Sequence, residues 1–275
     1  MRNKRRIIII SICVFVVLVI VLSSAIFNVR HVDVEFYSTD DAKITDMSVL
    51  TYFTEDDLDD ITKSAKINGK SVFLIKKQKY IDNLESANPY LKVVGLEIVF
   101  PDRVRVKAIE REELYYYEAD DKYVVLDTEF KVLRITTAQP SLIKVDGVQD
   151  TVCEAGSFID KYNLSNVAKS LNEAYVTNVK ALSLFSKIEI VEELVKDDEE
   201  SAPYRVNSLK MYTRYGDGAG VTIVIQNVNL NLGDKILGAI EVYDQLLSNP
   251  SETGSVAEGV IKILNNGTKV YNKVA

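Results

Sequence analysis

The sequence predicts an α+β protein: an N-terminal transmembrane helix, then a β-α-α-β-β module, then a β-rich domain with flanking helices. Three observations predict it. Ile7 to Phe27 form an unbroken run without a charge. Residues 28–111 order a strand, two helices and a hairpin. From Glu112 onward, short apolar and alternating runs recur between turn residues, with two helical stretches among them.

The uncharged run has 21 residues, which at about 1.5 Å rise per residue is roughly 31 Å, the thickness of a hydrocarbon core. A cleaved signal peptide is the rival reading, with Ser23-Ser24-Ala25 as its weak cleavage site. Its apolar segment would be shorter than this one, so residues 7–27 are expected to be an uncleaved anchor. Arg2, Lys4, Arg5 and Arg6 precede the run, and Arg30 alone stands close behind it. That asymmetry places residues 1–6 in the cytoplasm as a short tail and the rest of the chain outside, at the cell membrane. A six-residue tail is too short for a signalling or enzymatic domain, so the function is expected outside.

Of the 275 residues, 47% are hydrophobic and 27% charged, a composition that buries a core. About 248 residues follow the anchor, enough for two modest domains. The net charge is -7, and because the first six residues hold four cations and no acid, the remainder carries -11. An acidic ectodomain argues against nucleic acid, which selects Lys/Arg surfaces. The acid runs Asp56 to Asp60 and Asp197 to Glu200 lack the glycine and ligand spacing of a calcium loop and read as solvated faces. Cys13 and Cys153 fall on opposite sides of the membrane boundary, so no internal disulfide is expected. A Cys-poor exported domain fits a bacterial extracytoplasmic protein.

Within 28–111, Arg30 to Tyr37 alternates Val32, Val34 and Phe36 against polar neighbours, the pattern of a half-buried strand. Thr54 opens a helix, with Asp57 three residues on in a capping-box arrangement and Asn68-Gly69 as its stop. After the apolar link Ser71 to Ile75, Gln78 to Ala87 places Ile81, Leu84 and Ala87 on one face before Asn88-Pro89. Leu91 to Phe100 and Arg103 to Glu110 flank Pro101-Asp102 as a hairpin. Both helices are expected on one face of the sheet.

In 112–275, Leu114 to Tyr117 and Tyr123 to Leu126 flank Asp120-Asp121 as a second hairpin, and Lys131 to Ile135 continues the meander. Asn163 to Val176 is helical. Strands follow at Lys187 to Val191, Ser208 to Thr213 and Val221 to Ile225, the last two joined by Gly216-Asp217-Gly218. Asp234 caps a helix that reaches Leu247 and stops at Asn249-Pro250. Val260 to Leu264 and Thr268 to Tyr271 close the chain as a hairpin across Asn265-Asn266-Gly267.

Chemistry-bearing motifs are scarce. The sole histidine, His31, has no partner of its own kind, which argues against a zinc site or a His-assisted hydrolase. No phosphate-binding glycine loop or nucleophile elbow stands in a strand-to-helix context. Catalytic, cofactor-binding and metal residues are therefore none, and no cofactor or small-molecule substrate is expected. Cys153 reads as a packing residue, and Tyr115-Tyr116-Tyr117, a carbohydrate platform at first sight, reads as strand packing.

The stretch from Asn88 to Glu112, with its strand leading into Phe100-Pro101, the alternating Arg103 to Ala108 and the ending Glu110-Arg111-Glu112, resembles the signature of the FtsQ/DivIB family of bacterial cell-division proteins. Gly69 to Ile75, Tyr123 to Asp127 and Leu232-Gly233 resemble further family positions. One departure is that Glu129 and Phe130 stand where the family usually has a glycine; Ser38 to Phe53 and Glu192 to Val206 look like extra length.

The resemblance implies that residues 28–111 are a POTRA module. It also implies that the protein is a non-enzymatic divisome scaffold at the division septum, binding small single-pass FtsL-like and FtsB/DivIC-like proteins outside the membrane and linking them to septal wall synthesis. The family's partner-binding edge maps onto Val260, Ile261, Ile263, Leu264, Asn265, Asn266, Gly267, Val270 and Tyr271. Those residues equally read as the last hairpin completing the core, and both can hold. On this mapping Ile261 and Ile263 lie on an edge strand, where proline would remove a donor offered to a partner. The strand Arg30 to Tyr37 is a second docking candidate. Phe100, if buried, should cost about 3 to 5 kcal/mol when cut to alanine. The alternative function is another membrane-anchored POTRA-type factor for polypeptide binding or assembly.

Overall fold

The structure, a computed structural model, describes residues 11–15, 17, 26–147, 151–159, 164–177, 184–196, 202–214, 220–248 and 259–273. Contacts divide the chain into two compact units, Met1–Arg111 and Glu112–Ala275. The tail 1–6, most of the run 7–27 with Ser23 to Ala25, the acid run 197–200, the turn 216–218, Asn163 and Asn249-Pro250 lie outside the described residues. Residues 11–15, 17 and 26 are helical with exposed side chains. No described helix is long and apolar enough to cross a membrane.

The first unit runs β1 (His31–Phe36), α1 (Leu58–Ser64), α2 (Lys77–Ala87), β2 (Leu91–Val99) and β3 (Arg103–Glu110), with single 3-10 turns at Met47–Val49, Glu55–Asp57 and Val72–Leu74. Its three strands order β1-β3-β2, β1 parallel and β2 antiparallel to β3. On β3 the alternation does what the sequence predicts. Val104, Val106 and Ala108 are buried with Phe36, Ile61, Leu84 and Leu96. Arg103 and Lys107 form ion pairs with Asp33 (2.8 Å) and Glu97 (2.9 Å) on the outer face.

Thr54 starts the first helical stretch as expected, and its N–H and hydroxyl both donate to the Asp57 carboxylate (2.8 and 2.7 Å). The inner face of α2 keeps the expected Leu84 and half-buried Ile81 but has Tyr80 in place of Ala87. Tyr80 and Leu84 are buried and Ala87 is exposed, because a phenol ring brings far more apolar surface to the core than a methyl.

The Glu110-Arg111 pair has a structural reason. Glu110 receives the backbone N–H groups of Thr51 (2.9 Å) and Tyr52 (2.6 Å) and so ties down the entry to α1. Arg111, 5% exposed, reaches Glu85 on α2 (3.0 Å) and donates to the Leu91 carbonyl. The motif closes both helices onto the sheet.

Phe100 is not buried. Its ring is 60% exposed at the β2–β3 tip, with the rings of Phe27 (6.4 Å between centroids) and Phe73 (5.8 Å) beside it. Cutting it to alanine is expected to cost about 1 kcal/mol, the worth of such ring contacts, rather than the 3 to 5 of a core site. A denaturant melt checks this, and a loss above roughly 3 kcal/mol would contradict the exposed position.

The second unit is β-rich: β4 (Tyr115–Ala119), β5 (Lys122–Leu126), β6 (Val132–Thr136), β7 (Ile143–Asp146), α3 (Leu164–Thr177), β8 (Phe185–Val195), β9 (Tyr204–Thr213), β10 (Val221–Ile225), α4 (Leu232–Ser248), β11 (Gly259–Ile263) and β12 (Lys269–Lys273). Nine strands form one mixed sheet ordered β12-β11-β10-β9-β8-β7-β4-β5-β6. Helices α3 and α4 contact each other and contribute Leu164, Val167, Leu171, Ile236, Ile240 and Tyr243 to a core shared with the strands.

Asp120 and Asp121 both take positive φ (49° and 57°), which gives the tight β4–β5 hairpin the twist of a primed turn. Tyr115, Tyr116 and Tyr117 are all buried. Asp234 is not the cap of α4. The helix begins two residues earlier and the Lys235 N–H reaches the Asn231 carbonyl, so Asp234 stands in the first turn, where its charge still favours the N-terminus.

Strand β7 is absent from the sequence reading. It is parallel to both β4 and β8 and so joins the meander to the rest of the sheet. Gly147 follows it at φ +78, where a Cβ would stand 2.2 Å from the Ile190 carbonyl oxygen, so only glycine fits.

Candidate functional site

The expected partner-binding residues occupy the last hairpin, and of the two roles the sequence suggests, Ile261 and Ile263 take the one in the core. β11 pairs on both sides, parallel with β10 and antiparallel with β12. Ile261 and Ile263 are 0% and 1% exposed and belong to the core. This corrects their placement on an edge strand: a five-residue strand this apolar is buried between neighbours, while the more polar β12 takes the outside. Among the described residues no strand pairs with the other side of β12.

Backbone geometry says which groups of β12 point outward. The Leu264 N–H donates to the Thr268 carbonyl (2.9 Å), and the Ile263 carbonyl accepts from Gln226 on the opposite side. In an antiparallel pair such bonds alternate. Val270 and Asn272 therefore turn their backbone toward β11, and Lys269 and Lys273 turn theirs outward. The side chains of Lys269, Asn272 and Lys273 are exposed. The sequence reading passed over these three, although lysine on a terminal strand is the usual mark of an edge.

On the helix-facing side of the hairpin, Lys269 forms an ion pair with Glu241 of α4 (2.7 Å). That hydrogen bond and its charge hold the Glu241 carboxyl below its ordinary value. Tyr271 packs against the core, and a Cβ on Gly259 would meet its ring at 2.7 Å, so the glycine makes room for the tyrosine. On the other side of the sheet stand half-buried Val260, Lys262 and Val270.

The turn is built rather than loose. Gly267 takes φ +85, and Asn266 accepts the Thr268 N–H (3.0 Å). Asn265 donates to the Tyr204 hydroxyl (2.8 Å), accepts from Asn227 (3.0 Å) and sends its N–H to Gln226 (3.2 Å). Asn265 thus ties the turn to the loop after β10 and to the start of β9, whereas Asn266 and Gly267 are exposed. Beside the turn lies a groove of about 280 Å³, lined in part by Leu230, Asp234, Lys235, Gly238 and Lys269. Lys235 is buried, donates to the Gln226 carbonyl (2.8 Å), and has its pKa lowered by desolvation.

The second docking candidate, β1, is also an edge strand. Its far end is covered by its own chain: the Ile44 N–H donates to the Phe36 carbonyl (2.8 Å), and Tyr37 bridges Lys43. His31 is exposed. Among the described residues no group of three or more His, Cys, Asp or Glu is placed to hold a metal ion. A larger groove of about 740 Å³ runs beside α3, with Phe158, Ala168 and Asn172 among its lining.

Comparison with known proteins bears on the first unit most directly. Residues 46–111 match the family profile described as POTRA domain, FtsQ-type. The match covers α1, α2, β2 and β3; β1 lies ahead of it and joins the module through its parallel pairing with β3. The chain is 29% identical over 93 residues to the cell division protein DivIB of Clostridium acetobutylicum, covering 33% of this chain and 37% of that protein. It is 25% identical over 157 residues to the DivIB of Clostridium tetani, covering 51% of this chain and 58% of that one. The matches thus span between about a third and somewhat over half of these relatives' lengths.

Proposed function

The chain is an FtsQ/DivIB-type protein, and from that premise we propose that it is a non-enzymatic scaffold of the division machinery. Residues 7–27 anchor it in the cell membrane with the tail 1–6 in the cytoplasm. Residues 28–111 form the POTRA module and 112–275 the β-rich domain, both outside. The β-rich domain takes up small single-pass proteins of the FtsL and FtsB/DivIC kind and links them to septal wall synthesis.

One observation carries the reading: β12 ends a nine-stranded sheet with one side open among the described residues, and a hydrogen-bonded turn fixes its start. An extended partner segment adds to such an edge through backbone hydrogen bonds, with neighbouring side chains supplying selectivity. The docking surface is therefore the outward side of Lys269 to Lys273 with Asn266, Gly267, Val270 and Tyr271. Val260, Ile261, Ile263, Leu264 and Asn265 support it from behind.

A second reading, another membrane-anchored POTRA-type factor for polypeptide binding or assembly, draws on the edge position of β1. The fold-back of residues 37–44 covers part of that edge and weakens it. Localisation separates the two. An N-terminally tagged full-length chain is expected to form a midcell ring in dividing cells; uniform envelope signal would favour the assembly factor.

A further inference from the structure

We infer that exposed side chains of the POTRA module, Phe73, Leu74 and Phe100, gathered around half-buried Phe27 at the end of the apolar run, seat in the outer headgroup region of the bilayer. The inference rests on the proposed membrane span at residues 7–27, and its test distinguishes failure of the seating from failure of the span.

Three segments converge on this cluster. The chain leaving the apolar run is clamped to the Val72–Leu74 turn: the Val72 N–H donates to the Phe27 carbonyl (2.9 Å) and the Val29 N–H to the Lys70 carbonyl (2.9 Å). The same chain is fixed to the β2–β3 tip, where the Arg30 N–H donates to the Asp102 carbonyl (2.8 Å). As a result the Phe27 ring lies 5.2 Å from Phe73 and 6.4 Å from Phe100, and Phe73 lies 5.8 Å from Phe100.

Phe73, Leu74 and Phe100 face solvent although the turn that carries two of them is anchored in the core. Val72 is 2% exposed and belongs to the core, yet Phe73 is 65%, Leu74 78% and Phe100 60% exposed. A contiguous patch of this kind marks a surface that something covers. The apolar run says what covers it. Its 21 residues fill a hydrocarbon core of about 30 Å, which sets Phe27, the last of them, at the outer boundary. Rings held within 6.4 Å of Phe27 by backbone hydrogen bonds stand at the same depth.

That depth is where aromatic rings concentrate in membrane proteins. Exposed Lys70, Lys76 and Lys77 flank the turn in sequence, and cations so placed favour anionic headgroups. Seating the turn and the hairpin tip gives the module two points of support beside its anchor, which fixes its height and tilt above the bilayer.

The chain contains no tryptophan, so single substitutions report cleanly. F73W, F100W, F15W and Y52W would each be made in the full-length chain and reconstituted into phosphatidylcholine–phosphatidylglycerol vesicles. One set of vesicles carries bromine near the headgroup end of the acyl chains and another near the chain ends. F73W and F100W are expected to lose about half their emission to shallow bromines and less to deep ones, as interfacial rings would. F15W should show the reverse order. Y52W should keep its emission, because Tyr52 stacks on Tyr90, roughly 30 Å along β2 from the tip.

Unquenched F73W and F100W beside a quenched F15W would overturn the seating while leaving the anchor in place. Blue-shifted but unquenched emission at both would overturn it too, since protein would then cover the patch. Failure of F15W to respond would remove the membrane span and the inference with it.

Discussion

Replacing Ile261 by proline is expected to unfold the β-rich unit. The side chain is fully buried, and by the alternation of the ladder its N–H points toward β10, so proline removes core volume and a ladder bond in one step. The cavity alone is worth about 2 to 5 kcal/mol, and the lost backbone bond adds to it. Against a typical domain stability of roughly 5 to 15 kcal/mol, little would remain. A denaturant melt followed by far-UV circular dichroism reads the result. A cooperative transition within about 1 kcal/mol of the parent would mean that β11 is not an interior strand.

Cutting Arg111 to alanine is expected to cost about 3 to 5 kcal/mol in the POTRA module. Arg111 and Glu85 have side chains only 4% and 15% exposed, so the substitution takes a guanidinium away from a largely desolvated carboxylate. It also removes the guanidinium bond to the Leu91 carbonyl at the start of β2. The comparison is Arg103, whose pair with Asp33 is 46% and 36% exposed. Screening by water and salt holds such a pair to about 1 kcal/mol or less, so Arg103→Ala should scarcely move the melt. Equal losses at the two positions would remove the structural reading of the Glu110-Arg111 motif.

The first unit was the more legible in sequence because its signals are local. Thr54 and Asp57 mark the first helical stretch through a three-residue hydrogen-bonded loop, and the alternation from Arg103 to Ala108 marks one buried face. Side-chain burial at special positions was less legible. Phe100 sits in the motif that carries the resemblance, yet a hairpin tip exposes whatever occupies it.

In the second unit the difficulty is long-range order. Ile143–Asp146 is too short to show a period, and only its parallel partners β4 and β8 make it a strand. Local pattern also cannot say which strand of a terminal hairpin lies outside. That depends on β11 finding β10, a partner more than thirty residues back in the chain. The missing glycine after Asp127 has a similar answer. Phe130 itself takes φ +59, supported by its burial against Tyr115 (4.9 Å between centroids) and by the Asp127 carboxylate, which accepts the N–H groups of Glu129 and Lys131. A bulky side chain in this conformation is strained, and packing offsets the strain.

The POTRA domain and the family were therefore reachable from sequence, whereas the outward strand of the last hairpin was not. The lysines of β12 were the available signal.

The central claim is that a partner adds to the open side of β12. Its most direct test is the affinity of the full-length chain, in detergent or nanodiscs, for the extracytoplasmic segments of FtsL-like and DivIC-like proteins, with Lys269→Pro and Lys273→Pro introduced together. At an edge, proline facing outward is tolerated by the fold but closes the ladder to a newcomer. The account predicts at least a tenfold weaker complex, about 1.4 kcal/mol, with a melt shifted by no more than roughly 1 kcal/mol. Unchanged affinity in a folded double variant would contradict it.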